Sequence, residues 1–346
     1  MKRTYGAPFF GTLAVAAIAL MATPAFAQPE RSTMKAIVVH EFGGPEVLKY
    51  EEMPRPEPNE DEILIRVMAA GVNPVDAAIR SGRFHGGGGN LPLIPGMDVA
   101  GVVEKTGAKV TKFKANDPIY AYLSFKEQGG YAEFAIAKQD EASLKPKTIT
   151  YEAAAAVPLA ATTAWQALVD AAKIDKGQTV LIHGGSGGVG SFAIQIAKAR
   201  GAKVIATAST PNQDLLKQLG ADQTIDYTTT KFEEVVKDVD LVLDAVGKDT
   251  LTRSYGVVKR GGIIVSIAGQ PDQAELEKRG IRGSSMMAHP DAKILEELSK
   301  LIEAKKIKPI VSQIVPLAEA AKAHAQIATR HTRGKIVLKV AGESKK

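Results

Sequence analysis

The sequence predicts an α/β protein in which a doubly wound parallel sheet is joined to a second, mostly β domain. Three observations predict it. A strand, a glycine turn and a helix follow one another from Thr179 to Arg200. Apolar strands then alternate with helical stretches, the pattern of a parallel sheet covered on both faces. Before the turn, short apolar runs are divided by glycine, proline and charge, as in an antiparallel domain.

The chain has 346 residues, 45% of them hydrophobic and 24% charged, which suits two globular domains. The formal charge of +6 comes from 44 basic and 38 acidic residues that alternate along most of the chain. No basic block with interleaved aromatics stands out, so nucleic acid is not an expected partner. Cysteine is absent, which removes disulfides, thiolate catalysis and cysteine-ligated zinc, and the six histidines show no paired metal-ligand spacing.

The first residues read as a separate segment. Lys2 and Arg3 precede an uncharged apolar run from Leu13 to Ala22, then Pro24 and the small-x-small site Ala25-Phe26-Ala27. The run is short against the ~20 residues of a membrane-spanning helix, so residues 1–27 are read as a cleaved signal peptide rather than a retained anchor. That expects a periplasmic or secreted protein with no stable membrane insertion after cleavage. Lys2-Arg3-Thr4-Tyr5 is faintly similar to a twin-arginine signal, which would export a folded, cofactor-loaded protein. Translation from Met34 would instead leave the protein in the cytoplasm.

From Met34 to Asp140 the expected strands are Ala36 to Val39, Ile63 to Met68, Val99 to Val103, Ile119 to Tyr122 and Ala132 to Ala137. Pro54, Pro56 and Pro58 mark an extended connector. Gly82 to Asn90 reads as a loop, either a solvated excursion or a pocket lid.

Val180, Leu181 and Ile182 form the strand before the turn. In it Gly185, Gly187 and Gly190 spell G-x-G-x-x-G, with Ser186, Gly188 and Val189 between them. Glycines let a pyrophosphate approach the backbone, and the free N–H groups and dipole of the first helical turn favour the anion. The motif alone also fits an ordinary tight turn. Val189, Phe192, Ala193, Ile196 and Ala197 recur at helical spacing, which predicts one packed face and leaves Gln195, Lys198 and Arg200 to solvent. Lys203 to Thr207 closes a βαβ unit of roughly ~30 residues.

Further strands are expected at Asp240 to Leu243, Ile263 to Ile267 and Ile281 to Met287, then a helix at Ala292 to Ala304. The tail reads as β-like Ile310 to Val315, amphipathic Leu317 to Ala328 and a last strand, Lys335 to Val340.

A set of local matches runs in order from Met34 to Val340. It includes Ala69 to Asp76 (AAGVNPVD), Arg80-Ser81-Gly82, Leu91 to Gly101 (LPLIPGMDVAG), Gly129-Gly130-Tyr131-Ala132-Glu133, Pro158 to Leu168 (PLAATTAWQAL), the glycine turn and Arg333 to Leu338 (RGKIVL). In these the chain resembles the medium-chain dehydrogenase/reductase superfamily, in its zinc-independent quinone oxidoreductase branch. The resemblance implies a GroES-like, partly open β-barrel catalytic domain made of 34–155 with 310–346. A Rossmann domain, 156–309, would be inserted between them, leaving the active site in the cleft. Members are often dimers through the sheet of the nucleotide domain, so a homodimer is possible.

The resemblance also implies cofactor contacts. Thr162 and Asn73 would lie beside the nicotinamide ribose and ring, although Asn73 by itself reads as a turn residue before Pro74. Main chain at Ala245-Val246 and Ile267-Ala268 would line the crevice at the strand ends. An acid after the second strand would favour NADH, but Thr207 to Asn212 reads TASTPN, so NADPH is expected, with Ser209 and Asn212 as contacts. Where relatives place a lysine against the 2′-phosphate this chain has Gln213. Tyr227 matches the family's second contact or is a half-buried strand-end tyrosine, and Arg330 or Lys335 would bring positive charge from the tail.

Without cysteine the zinc-assisted route of some relatives is closed. What remains is hydride transfer to an acceptor that is already electron-poor, a quinone or an α,β-unsaturated carbonyl. Candidate hydrogen-bond donors to the developing oxyanion are Asn73, Tyr122, Tyr131 and His85, with Tyr131 read mainly as structural. Asp76 would orient Asn73 or cap the helix of Ala77 to Arg80. Two other readings stand beside this one: a catalytically silent NADPH-binding module, and an enoyl-thioester reductase with a pocket extending past Phe125.

Overall fold

Six parallel strands form the sheet that starts at the glycine turn. Their spatial order is Gln223–Asp226, Lys203–Ala208, Thr179–His183, Val239–Asp244, Val258–Ser266, Arg282–Ser285. The order reverses between Thr179–His183 and Val239–Asp244, and a crevice outside the carboxyl ends of strands is where open α/β sheets bind ligands. The structure is a computed structural model and describes residues 1–4, 6, 32–84, 90–125 and 129–340. The signal-peptide reading therefore falls almost wholly outside the described residues. Among those described, no helix is long and apolar enough to cross a membrane.

The helix Gly188–Ala199 packs Phe192, Ala193, Ile196 and Ala197 into the core, as its spacing predicts. Gln195 departs from expectation. It is buried, and its amide donates to Ser191 O at 2.9 Å and Lys308 O at 3.1 Å while accepting from the Lys308 N–H at 2.8 Å. A primary amide that can serve a neighbouring main chain on both edges is stable where a charged side chain would not be.

The second sheet is seven-stranded and mostly antiparallel. Its path runs Val311–Pro316, Lys335–Lys339, Glu62–Val72, Asp98–Thr106, Pro118–Tyr122, Ala142–Leu144, with Phe134–Lys138 pairing Glu62–Val72. The last strand of the chain thus lies inside this sheet, parallel to Val311–Pro316 and antiparallel to Glu62–Val72. A hairpin of Thr33–Val39 with Leu48–Pro54 joins it through bridges from Ala36 to Ala132 and Val39 to Leu93.

The two sheets share one core. Ala154, Ala155, Ala156, Val157, Ala160, Ala161 and Ala164 are buried where Ala69, Ala100 and Tyr120 meet the strands and helices of the parallel sheet. Small side chains on the helix Pro158–Trp165 let it approach both closely. Tyr120 fixes the seam by donating its hydroxyl to Leu295 O at 2.5 Å.

Candidate active site

The positive-φ residue of the glycine turn is Gly184, at φ 71, one position before the motif. The motif glycines are required by space instead. A Cβ on Gly190 would stand 2.2 Å from Gly184 O, and one on Gly185 2.9 Å from Leu216 Cδ2. On Gly187 a Cβ would meet only Gly184 O at 3.4 Å, so the turn is open there. Gly187 is also the N-cap of Gly188–Ala199, which puts free N–H groups at the opening. The tail crosses this turn: Gly334 donates its N–H to Ser186 O at 2.8 Å, and the Lys335 stem lies against Gly188.

From there Lys335 reaches into a buried polar cluster. Its ammonium donates to Val72 O at 3.0 Å, to Asn73 Oδ1 and to Asp98 Oδ2 at 3.0 Å. Lys335 and Asp98 form an ion pair whose side chains are only 4% and 0% exposed. Asn73 Nδ2 donates to Asp98 Oδ2 at 2.9 Å, and Asp98 Oδ1 accepts the Leu159 N–H at 2.6 Å. Leu159 sits in the first turn of Pro158–Trp165, and Thr162 follows one turn later. The Thr162 hydroxyl is fully buried and has no hydrogen-bond partner among the described residues.

Lys335 is therefore not a 2′-phosphate contact. Its three donors are spent inside the cluster, and burial there leaves none for an anion at the far end of a dinucleotide.

Asp76 caps the helix Pro74–Arg80 by accepting the main-chain N–H of Asn73 at 2.8 Å, so it touches the backbone of Asn73 and not its amide. The same oxygen, Oδ2, accepts the Tyr131 hydroxyl at 2.9 Å, while Oδ1 has no hydrogen-bond partner among the described residues. Burial raises the Asp76 pKa to about 7. The Asn73 N–H pulls it down, and the charge of Asp98 pushes it further up. Behind Tyr131, His324 Nε2 lies 3.2 Å from the phenolic oxygen, and Arg80 Nη1 donates to His324 Nδ1 at 3.2 Å. Burial, with the nearby Arg80 charge, lowers the His324 pKa to about 3 and keeps the ring neutral.

Tyr122 is buried beside the cluster, but its hydroxyl donates to Ala288 O at 3.1 Å. Burial first, then Asp98 and Asp76, raise its pKa. Tyr122 is thus a wall residue tied to the segment after Arg282–Ser285, and its proton is committed to a main-chain carbonyl. His85 lies outside the described residues.

At the adenosine end the chain supplies hydroxyls and amides. Asn212 Nδ2 donates to Ser209 Oγ at 3.1 Å, Thr210 and Thr228 hydroxyls are 3.0 Å apart, and Tyr227 is 53% exposed at the strand end. Gln213 turns inward, donating to Ala208 O at 2.9 Å and Ile225 O at 3.2 Å, so it staples two strand ends. Arg330 is exposed with φ 60.

The turn at Ala245-Val246 is shaped by a buried carboxylate that sequence reading missed. Asp244 Oδ1 accepts the N–H groups of Val246 and Gly247 at 3.0 and 2.9 Å, and Oδ2 accepts the Ser266 hydroxyl at 2.8 Å. Ser266 Oγ in turn accepts the Ala268 N–H at 3.2 Å, so one pair of side chains sets both crevice turns, Ala245-Val246 and Ile267-Ala268. Val246 stands over Gly184, 3.4 Å from where its Cβ would be. Asp98 was missed as well. The signal for both is an acid at the end of an apolar strand, where an unpaired buried charge would not survive.

Residues 59–147 match the alcohol dehydrogenase GroES-like domain family and residues 219–338 the zinc-binding dehydrogenase family. Over 316 residues the chain is 39% identical to the NADPH-dependent alkenal/one oxidoreductase of Arabidopsis thaliana, covering 88% of this chain and 79% of the relative. The chain belongs to the medium-chain dehydrogenase/reductase superfamily. Among solved members of that superfamily, the quinone oxidoreductase of Coxiella burnetii superposes with a TM-score of 0.83 at 36% identity, covering 90% of this chain and 100% of the other. The Escherichia coli quinone oxidoreductase complexed with NADPH gives 0.81 at 32% identity, covering 89% and 100%. The zinc named in the second family's description does not fit this donor set: the chain has no cysteine, and no group of three or more His, Asp or Glu among the described residues is placed to hold a metal.

Proposed function

We propose that this member of the superfamily is a zinc-independent reductase that uses NADPH to reduce quinones or α,β-unsaturated carbonyls. The observation that carries the reading is the buried hydroxyl of Thr162, unpartnered among the described residues, one helical turn past Leu159, whose N–H meets Asp98. Leaving a buried hydroxyl unpaired costs about 1–3 kcal/mol, so its presence here fits a polar ligand that completes it. The opening at Gly187 fits the diphosphate of the same ligand.

Bound NADPH would supply a hydride from its reduced nicotinamide ring. The chain's own residues hold, orient and protonate. Main-chain N–H groups from Gly187 onward would hold the diphosphate, Thr162 and Asn73 the nicotinamide end, and Ser209, Asn212 and Tyr227 the adenosine ribose. Asn73 keeps one amide N–H uncommitted among the described residues, a donor for an acceptor oxygen as it gains charge. Hydride addition leaves one proton to be taken up. With its pKa raised to about 7, Asp76 is partly protonated near neutral pH, and Oδ1 is the oxygen open to that proton, since Oδ2 already accepts two hydrogen bonds. The names of the Arabidopsis and Coxiella relatives, an alkenal/one and a quinone oxidoreductase, support both acceptor classes.

Loss of NADPH absorbance, followed with a panel of quinones, short enones and acyl thioesters, tests the reading. Acceptor-dependent oxidation with quinones or enones is the expected outcome. Oxidation only with thioesters would favour an enoyl-thioester reductase, and tight binding with no oxidation a silent module. An added metal chelator is expected to leave the rate unchanged.

We also propose that residues 1–27 export the chain to the periplasm or medium, on the strength of the Leu13 to Ala22 run and the Ala25-Phe26-Ala27 site. N-terminal sequencing of the native protein tests it. Gln28 as first residue supports export, and Met34 overturns it.

A further inference from the structure

Asn73 is held on both edges of its amide by residues from distant parts of the chain. Lys335 can only donate and ion-paired Asp98 can only accept, so Oδ1 must face Lys335 and Nδ2 must face Asp98. No flipped amide satisfies both neighbours. Lys335 is fixed in turn by Val72 O, and Asp98 by the Leu159 N–H, so the clamp rests on two main-chain groups from different segments. Gly334, the residue before Lys335, is bonded to Ser186 in the phosphate turn. One dipeptide therefore touches both the turn and the amide.

We propose that Lys335 and Asp98 are positioning residues for Asn73. Together they lock its amide in one orientation, with a single N–H left for the cofactor or the acceptor, and they govern hydride transfer more than cofactor affinity. This rests on the reductase reading above for its catalytic half. The clamp itself exists in the protein without ligand.

The test uses Lys335→Met, Asp98→Asn and the double variant. The double removes both charges together and leaves no unpaired buried ion, so it keeps the test open if a single variant fails to fold. Protein labelled with 15N at asparagine gives the first readout, with the Asn73 side-chain signal identified by its loss in Asn73→Ala. In the unaltered protein that NH2 pair should be widely split and slow to exchange with solvent, and in the variants it should collapse toward free-amide values. An unchanged signal overturns the clamp whatever the activity.

Single-turnover oxidation of NADPH gives the second readout. Each variant should slow transfer by about 100-fold, with NADPH affinity moving less than about threefold. Combined with Asn73→Ala, the variants should add no further loss, because all act through one amide. Additive losses, or losses confined to affinity, overturn the proposal. If the unaltered protein binds NADPH but oxidises it with no acceptor, the reductase reading falls and takes the catalytic half with it, while the amide signal still decides the clamp.

Discussion

His324 and Tyr131 meet edge to face, their rings at 83° and Nε2 3.2 Å from the phenolic oxygen. Because Tyr131 gives its proton to Asp76, His324 must donate from Nε2, and its Nδ1 is then free to accept from Arg80. The tautomer is set by the chain of bonds.

The pH dependence of stability follows from the two ends of that chain. Asp76 binds a proton more tightly folded than unfolded, so its contribution is present below its ordinary pKa of 3.8 and is lost as pH rises to about 7. His324 has the opposite sign: its contribution is present above its ordinary 6.5 and is lost as pH falls toward about 3. Each slope is ~1.4 kcal/mol per pH unit, and the two oppose each other where they overlap. Denaturant melts between about pH 4.5 and pH 6.5 should therefore show Asp76→Asn losing stability on acidification and His324→Gln losing it on alkalinisation. Parallel profiles in both variants and the unaltered protein would contradict the assignment.

Thr162→Val should act oppositely on the empty and loaded protein. Removing an unpartnered buried hydroxyl should raise stability without ligand by about 1 kcal/mol, and removing a ligand contact should weaken NADPH binding about five- to tenfold. Melting curves with and without NADPH measure both, and a variant that loses stability in both states would count against the ligand role.

The glycine turn separates space for the fold from space for a ligand. Gly190→Ala drives a methyl into Gly184 O and should cost several kcal/mol or prevent folding. Gly187→Ala has room, with its nearest atom at 3.4 Å, and its backbone is extended, so stability should move by less than about 1 kcal/mol. NADPH affinity should nonetheless fall for Gly187→Ala, as titration calorimetry would record. An unchanged affinity would place the diphosphate elsewhere.

Selectivity for NADPH over NADH should be modest, since Gln213 is turned inward and the hydroxyls of Ser209, Thr210 and Thr228 carry no charge. Asn212→Arg should raise the NADPH-to-NADH affinity ratio about tenfold or more, through one charge-assisted bond to the 2′-phosphate. Equal gains for both cofactors would show that the arginine points away.

The parallel sheet and the glycine turn were legible in the sequence because both are local: apolar runs of strand length, and glycines at fixed spacing before a helix. The position of the tail was legible only through resemblance. Lys335 and Asp98, 237 residues apart, were not legible as partners, since nothing in GKIVL or in PGMDV names the other. Gln195 failed for the same reason, its partner Lys308 being 113 residues on. Tyr122 reads as a donor to the acceptor, because nothing near it in sequence shows that Ala288 takes its proton. Local pattern tells which side chains leave water, and only topology tells whom they meet.

The strand Lys335–Lys339 is wedged between Glu62–Val72 and Val311–Pro316. Synthesis of the first half of the chain thus yields a sheet whose seam is still open, and it closes only once the residues from Lys335 to Lys339 have been made. The Asn73 clamp is therefore assembled late, from strands whose synthesis is separated by most of the chain.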